Sequence, residues 1–126
     1  MKRITPLMLD LMDLNTLADK LLGDDFKDGK DEKRRLSELE KRLLRLKQLI
    51  AKALELLTAK PKDKAEEMKL KRDFEKLSKE IIALLEEIEE LLQLSNNRDT
   101  PSVKDARRKF SFLINKKLSY SRARVA

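Results

Sequence analysis

The side chains able to do chemistry in this 126-residue chain are carboxylates and cations, because it contains no histidine and no cysteine. Their absence removes the common zinc sites, the Ser-His-Asp and Cys-His nucleophile systems and the Glu-x-x-His carboxylate sites of helical bundles. The densest acidic run is Glu86, Glu87, Glu89 and Glu90. Paired acids can serve as general acid and base where their surroundings push their proton affinities apart. These four project from the charged side of a helix with basic neighbours, and read as a solvated or ion-paired face. Asp24, Asp28 and Gly29 suggest a calcium loop, but counting from Asp24 puts Phe26 third and Arg35 twelfth, where such a loop needs oxygen ligands. The aspartates there read as loop and cap residues. Gly23 and Gly29 stand alone among aspartates, which would repel a phosphate. The expectation is therefore a non-enzyme with no catalytic residue, no metal and no cofactor.

The cations are more informative. Residues 98–126 hold nine Lys/Arg against two aspartates, a net +7 equal to the formal charge of the whole chain. On a helical projection Arg108, Phe112 and Lys116 form one ridge opposite the apolar stripe, with Lys109 beside it. The candidate binding residues are Arg107, Arg108, Lys109, Phe112, Lys116, Lys117, Tyr120, Arg122 and Arg124. Three uses fit this pattern. Cations can hold phosphates while an exposed ring stacks on an unpaired base; the ring can anchor a protein interface; or the ring is covered and the cations only solubilise the surface.

These residues hang on a heptad framework. Leu36, Leu39, Leu43, Leu46, Ile50, Ala53 and Leu57 make one stripe, and Leu70, Phe74, Leu77, Ile81, Leu84, Ile88 and Leu91 a second. The 3-4 spacing turns each stripe toward a partner helix. Continuing the first phase lands on Lys60, Lys64 and Glu67, and Pro61 removes a helix donor, so the chain must turn there. Asp63 with Glu66 has the pattern of a reciprocal cap that restarts the helix. A turn near Pro61 sets Leu39 opposite Leu84, Leu43 opposite Ile81 and Ile50 opposite Phe74. One arm carries nine basic and five acidic residues, the other seven and ten, so charge favours the same pairing. A continuous helix in a parallel oligomer competes, and the proline and the phase break speak against it.

Thr5-Pro6 and Thr100-Pro101 each read as a helix start. The first of these helices carries Leu7, Leu11, Leu14, Ala18 and Leu21 on one side and Met8, Leu9 and Met12 outside that stripe, more apolar surface than one contact can cover. Its polar side is left mainly to Asp10, Asp13, Thr16, Asp19 and Lys20. The expected organisation is a single domain, 1–126, with a helix at 5–22 closed by Gly23, hairpin arms at 31–60 and 63–95, a basic helix at 101–119 and a basic tail at 120–126. The fold class is all-α: a long antiparallel, coiled-coil-like helical hairpin with a short helix before and after it, in a three- to four-helix bundle. Charged residues at 42% and aromatics at 4% agree with that class. Met1-Lys2-Arg3 precedes apolar residues, but Asp10, Asp13 and Asp19 interrupt every possible leader core. A cytoplasmic location and no membrane span are expected. The functional expectation is an adaptor, chaperone or scaffold type of interaction protein that binds a partner protein and forms a homo-oligomer, with Met8, Met12, Leu54 and Leu56 as candidate self-association residues. Nucleic-acid binding through the basic C-terminal helix and tail is the alternative.

Overall fold

Three prolines punctuate the helices of this chain. The computed structural model describes residues 6–24, 33–94 and 99–125, with side chains described at 6–23, 38–94 and 99–116. Among them are four α-helices: α1 (Pro6–Asp24), α2 (Lys33–Thr58), α3 (Lys64–Leu94) and α4 (Thr100–Val125). Pro6 opens α1, Pro101 lies in the first turn of α4, and Pro61 sits in the short connection between α2 and α3. A proline lacks the N–H that a first turn would leave unpaired anyway, so it starts helices and stops them. The cap expected after Pro61 forms. The backbone N–H of Glu66 donates to Asp63 Oδ1 at 2.8 Å, and Glu66 Oε2 accepts from the backbone N–H of Lys62 at 3.0 Å. Glu66 and Glu67 in the first turn of α3 also complement the positive end of its dipole.

Helix boundaries differ from the sequence reading: the arms expected at 31–60 and 63–95 run Lys33–Thr58 and Lys64–Leu94, and three other ends differ for local reasons. Gly23 does not close α1; it lies exposed in the last turn with open space where a Cβ would stand, and the helix runs on to Asp24. At α4 the carbonyl of Asp99, not Thr100, accepts the first helical bond, from Val103 N–H at 3.1 Å. α4 then continues to Val125, so residues 120–125 are helical rather than a tail. No glycine or proline follows Pro101, and lysine, arginine, leucine and alanine all favour continuation. The calcium-loop candidates Asp28 and Gly29 lie outside the described residues.

The helices close into a ring. α1 packs on α2 and on α4, α3 packs on α2 and on α4, and among the described residues neither diagonal pair brings its backbones close together. This is a helical bundle in which every helix has two neighbours. One core runs through all four, with Leu11, Leu14 and Leu21 of α1, Leu43 and Ile50 of α2, Ile81 and Ile88 of α3, and Val103 and Phe110 of α4 almost wholly buried. The heptad positions Leu39, Leu43, Leu46, Ile50, Ala53, Phe74, Leu77, Ile81, Leu84 and Ile88 are all buried. Leu49, Ser78, Leu85 and Leu92 are buried as well, because α2 and α3 each face two partners and need a face wider than one seam. The Ser78 hydroxyl donates to the carbonyl of Phe74 at 2.7 Å, which satisfies it without a partner on another helix.

Ion pairs run along the outside of the ring. Arg42 bonds Glu38 at 2.7 Å on its own helix and Glu87 of α3 at 3.2 Å. Its hydrogen bond and charge hold the Glu38 carboxyl below the usual glutamate range. Arg107 of α4 bonds Glu89 at 2.9 Å and approaches Glu86 at 3.9 Å, and Lys47 pairs with Asp19. Three members of the acidic run are thus held by Arg42 and Arg107. The side chains of Lys33, Arg34 and Arg35, expected beside that run, lie outside the described residues. No described helix is long and apolar enough to cross a membrane.

Candidate interaction surface

α4 turns Val103, Phe110 and Ile114 into the core, and a helical projection then places Phe112 on the opposite side. Phe112 is 66% exposed. Arg108 and Lys116, one turn to either side of it, are exposed, and neither makes an ion pair among the described residues. Two further cations of the group have tasks within the fold. Arg107 is half-buried against Glu89 and Glu86. Lys109 reaches Asp10 of α1 at 3.8 Å while its side chain stays 63% exposed. Lys117, Tyr120, Arg122 and Arg124 ride on the helical backbone of α4, and their side chains lie outside the described residues. The expected ridge therefore separates into a packing part, Arg107 and Lys109, and an outward part, Arg108, Phe112 and Lys116.

α1 packs on α4 through Asp10 and Lys109. Its Leu7, Leu11, Leu14, Ala18 and Leu21 are buried, and Leu9 and Met12, on the far side of the helix, are 51% and 43% exposed. Asp13 next to Met12 is exposed too. The contact of Asp10 with Lys109 ties this part of α1 to the turn of α4 that precedes Phe112. A second link, Lys20 to Asp99 at 4.0 Å, joins the C-terminal part of α1 to the start of α4. Of the candidate self-association residues, Met12 is exposed and Met8 is half-buried, while Leu54 and Leu56 are half-buried against the core. Leu9 complements Met12 on the same face; its place outside the apolar stripe is the signal that marks it.

Asp10 stands in a different environment from the one its place in the sequence suggests. The helical projection puts it on the polar face of the first helix, yet it is only 3% exposed, and its Oδ2 has no hydrogen-bond partner among the described residues. Burial pushes its carboxyl above the usual aspartate range; the charge of Lys109 opposes that shift, and the charge of Asp13 adds to it. It sits at the edge of the α1 apolar stripe, and α4 covers that edge. Among the described residues no group of three or more His, Cys, Asp or Glu could hold a metal ion.

Comparison with protein-family models, curated proteins and solved structures found no match. The functional reading therefore rests on the surface just described.

Proposed function

We propose that this chain is a non-enzymatic helical interaction protein of the adaptor, chaperone or scaffold type, self-associating and able to bind a partner protein, with the outer faces of α1 and α4 as its contact surface. The observation that carries this reading is Phe112, an aromatic residue 66% exposed between two cations that make no ion pair among the described residues. Aromatic residues with adjacent arginine are the side chains that dominate binding energy at protein interfaces. Leu9 and Met12 of α1 are further exposed apolar side chains. In this proposal α2 and α3 form an antiparallel, coiled-coil-like hairpin that holds α1 and α4 in place. The short connection at Pro61 and the Arg42–Glu87 pair support that pairing. Because the chain has no cysteine of its own, cysteines introduced at Leu43 and Ile81 test it directly: rapid disulfide formation supports the facing register and failure to cross-link opposes it. A cytoplasmic site of action belongs to the same proposal.

The test compares two baits, the wild-type chain and a chain carrying Arg108→Glu, Phe112→Ser and Lys116→Glu. Proteins retained by the first and lost by the second support the reading, and identical retention on both removes it. A second reading, nucleic-acid binding, is favoured by the concentration of charge in residues 98–126. Binding of generic single-stranded DNA and RNA at two salt concentrations decides it. Phosphate binding must weaken steeply with salt, and no binding at low salt eliminates it.

A further inference from the structure

Resting on the self-association in that reading, and leaving the α1 and α4 faces to the partner protein, we infer that a second copy of the chain docks on the outer face of α3, with the two α3 helices antiparallel about a two-fold axis level with Ile81. α3 buries one side only: Phe74, Leu77, Ile81, Leu85, Ile88 and Leu92 lie in the core. At about 100° per residue, Met68, Arg72, Lys76 and Lys79 fall within about 40° of the opposite direction, and so do Glu86, Glu90 and Leu94 further along. All seven are exposed, so no helix of the ring covers this face. Met68 and Leu94, near its two ends, are among the most exposed apolar side chains of the described residues.

Charge divides along the same face. Residues 68–79 hold five Lys/Arg and two acids, whereas residues 80–94 hold five glutamates and no Lys or Arg. The acids that would blur this division stand aside. Asp73 and Glu80 project to the flank on which Glu87 meets Arg42 of α2. Glu75 projects to the flank on which Glu89 meets Arg107 of α4, and Lys79 pairs with it at 3.8 Å. Arg72 and Glu90, at the centre of the outward stripe, make no ion pair among the described residues. A two-fold axis repeats every contact in reverse. Placed level with Ile81, it sets Arg72 on Glu90 of the other copy, Lys76 on Glu86 and Met68 on Leu94, because the members of each pair lie equally far before and after Ile81. One operation thus brings each basic half onto an acidic half and covers both exposed apolar ends. A parallel pairing would set Arg72 on Arg72 and Glu90 on Glu90. A nucleic-acid strand laid along the cations would run its phosphates onto Glu86 and Glu90.

Sedimentation velocity on the full chain over a wide concentration range tests the proposal. The wild type should show a concentration-dependent dimer. Arg72→Glu and Glu90→Arg, both at exposed positions, should each weaken it about tenfold or more, since each sets like charges together twice. The chain carrying both changes should recover dimerisation, and the two single variants mixed in equal amounts should form a heterodimer. Circular dichroism confirms that each variant is folded. Introduced cysteines read the orientation. Met68→Cys mixed with Leu94→Cys should cross-link, whereas Met68→Cys alone should not, because its two copies lie about 39 Å apart along antiparallel helices. A wild type that stays monomeric, single variants that dimerise as the wild type does, a double variant that fails to recover, or Met68→Cys that cross-links to itself would each overturn the inference. So would a dimer lost on Arg108→Glu/Phe112→Ser/Lys116→Glu and kept in the α3 variants. Bait-dependent capture of another protein by a monomeric chain would overturn this inference and leave partner binding through α1 and α4 standing; loss of both results would remove both.

Discussion

Replacing Asp10 with leucine should stabilise the bundle, and the size and pH dependence of the gain follow from where the carboxylate sits. Asp10 is buried beside Leu7, Leu11 and Leu14, its Oδ2 has no hydrogen-bond partner among the described residues, and the cation paired with it, Lys109, stands 3.8 Å away with most of its length in water. Leaving a buried polar group unsatisfied costs about 1–3 kcal/mol, and more when it is charged. A largely solvated lysine returns only about 0–1 kcal/mol of that. Asp10→Leu should therefore gain about 1–3 kcal/mol at neutral pH, which for a domain of this size raises Tm by about 4 °C per kcal/mol. The sign with pH is fixed by the direction of the shift. The folded carboxyl holds its proton to higher pH than the ordinary value of 3.8, so the unfolded state ionises first and stability falls as pH rises from there to the folded value. Below that window Asp10 is neutral in both states, and the advantage of leucine shrinks. Urea and thermal unfolding of both proteins at about pH 3.5 and about pH 7.5 measure this. A variant less stable than wild type at the higher pH, or a gain that is the same at both pH values, would refute the reasoning.

Four further substitutions probe other parts of the molecule. Leu43→Ala, at one of the most deeply buried positions of α2, should cost about 2–5 kcal/mol in urea unfolding. Gly23→Ala should add about 0.5–1 kcal/mol, because the residue is helical and a methyl group there meets nothing within 4 Å. Arg107→Ala should cost about 1–2 kcal/mol by leaving the largely covered Glu89 without its partner, whereas Arg108→Ala next to it should change stability by less than about 0.5 kcal/mol. Thermal denaturation of that pair separates the packing cation from the outward one.

Positions along α2 and α3 were legible in the sequence wherever one repeat governs burial. Leu39 through Ala53 and Phe74 through Ile88 follow the heptad because the pattern itself defines a face. It stops being informative where a second neighbour enters. Leu85 and Leu92 lie one position beyond heptad sites and are buried, while Leu91, on the heptad, is only half-buried. No single-helix projection contains the helix packed against that second side. Asp10 escaped for the same reason. Phe112 was legible because it stands so far from the α4 stripe that no neighbour within the ring covers it. The split between Arg107 and Arg108 was not, since it depends on Glu89 being within reach of only one of them.

The ring of four seams also has a kinetic consequence. Three seams join helices that follow one another along the chain, and only the α1–α4 seam joins residues as distant as Asp10 and Lys109. Local seams cost little chain entropy to form, while the distant one must bear the closure of almost the whole chain before its contacts repay it. The α1–α4 seam should thus be made late in folding. Substitutions there, Asp10→Leu included, should act mainly on the unfolding rate and leave the folding rate nearly unchanged. In hydrogen exchange the amides of α1 should open at lower free energy than those at the centre of α3.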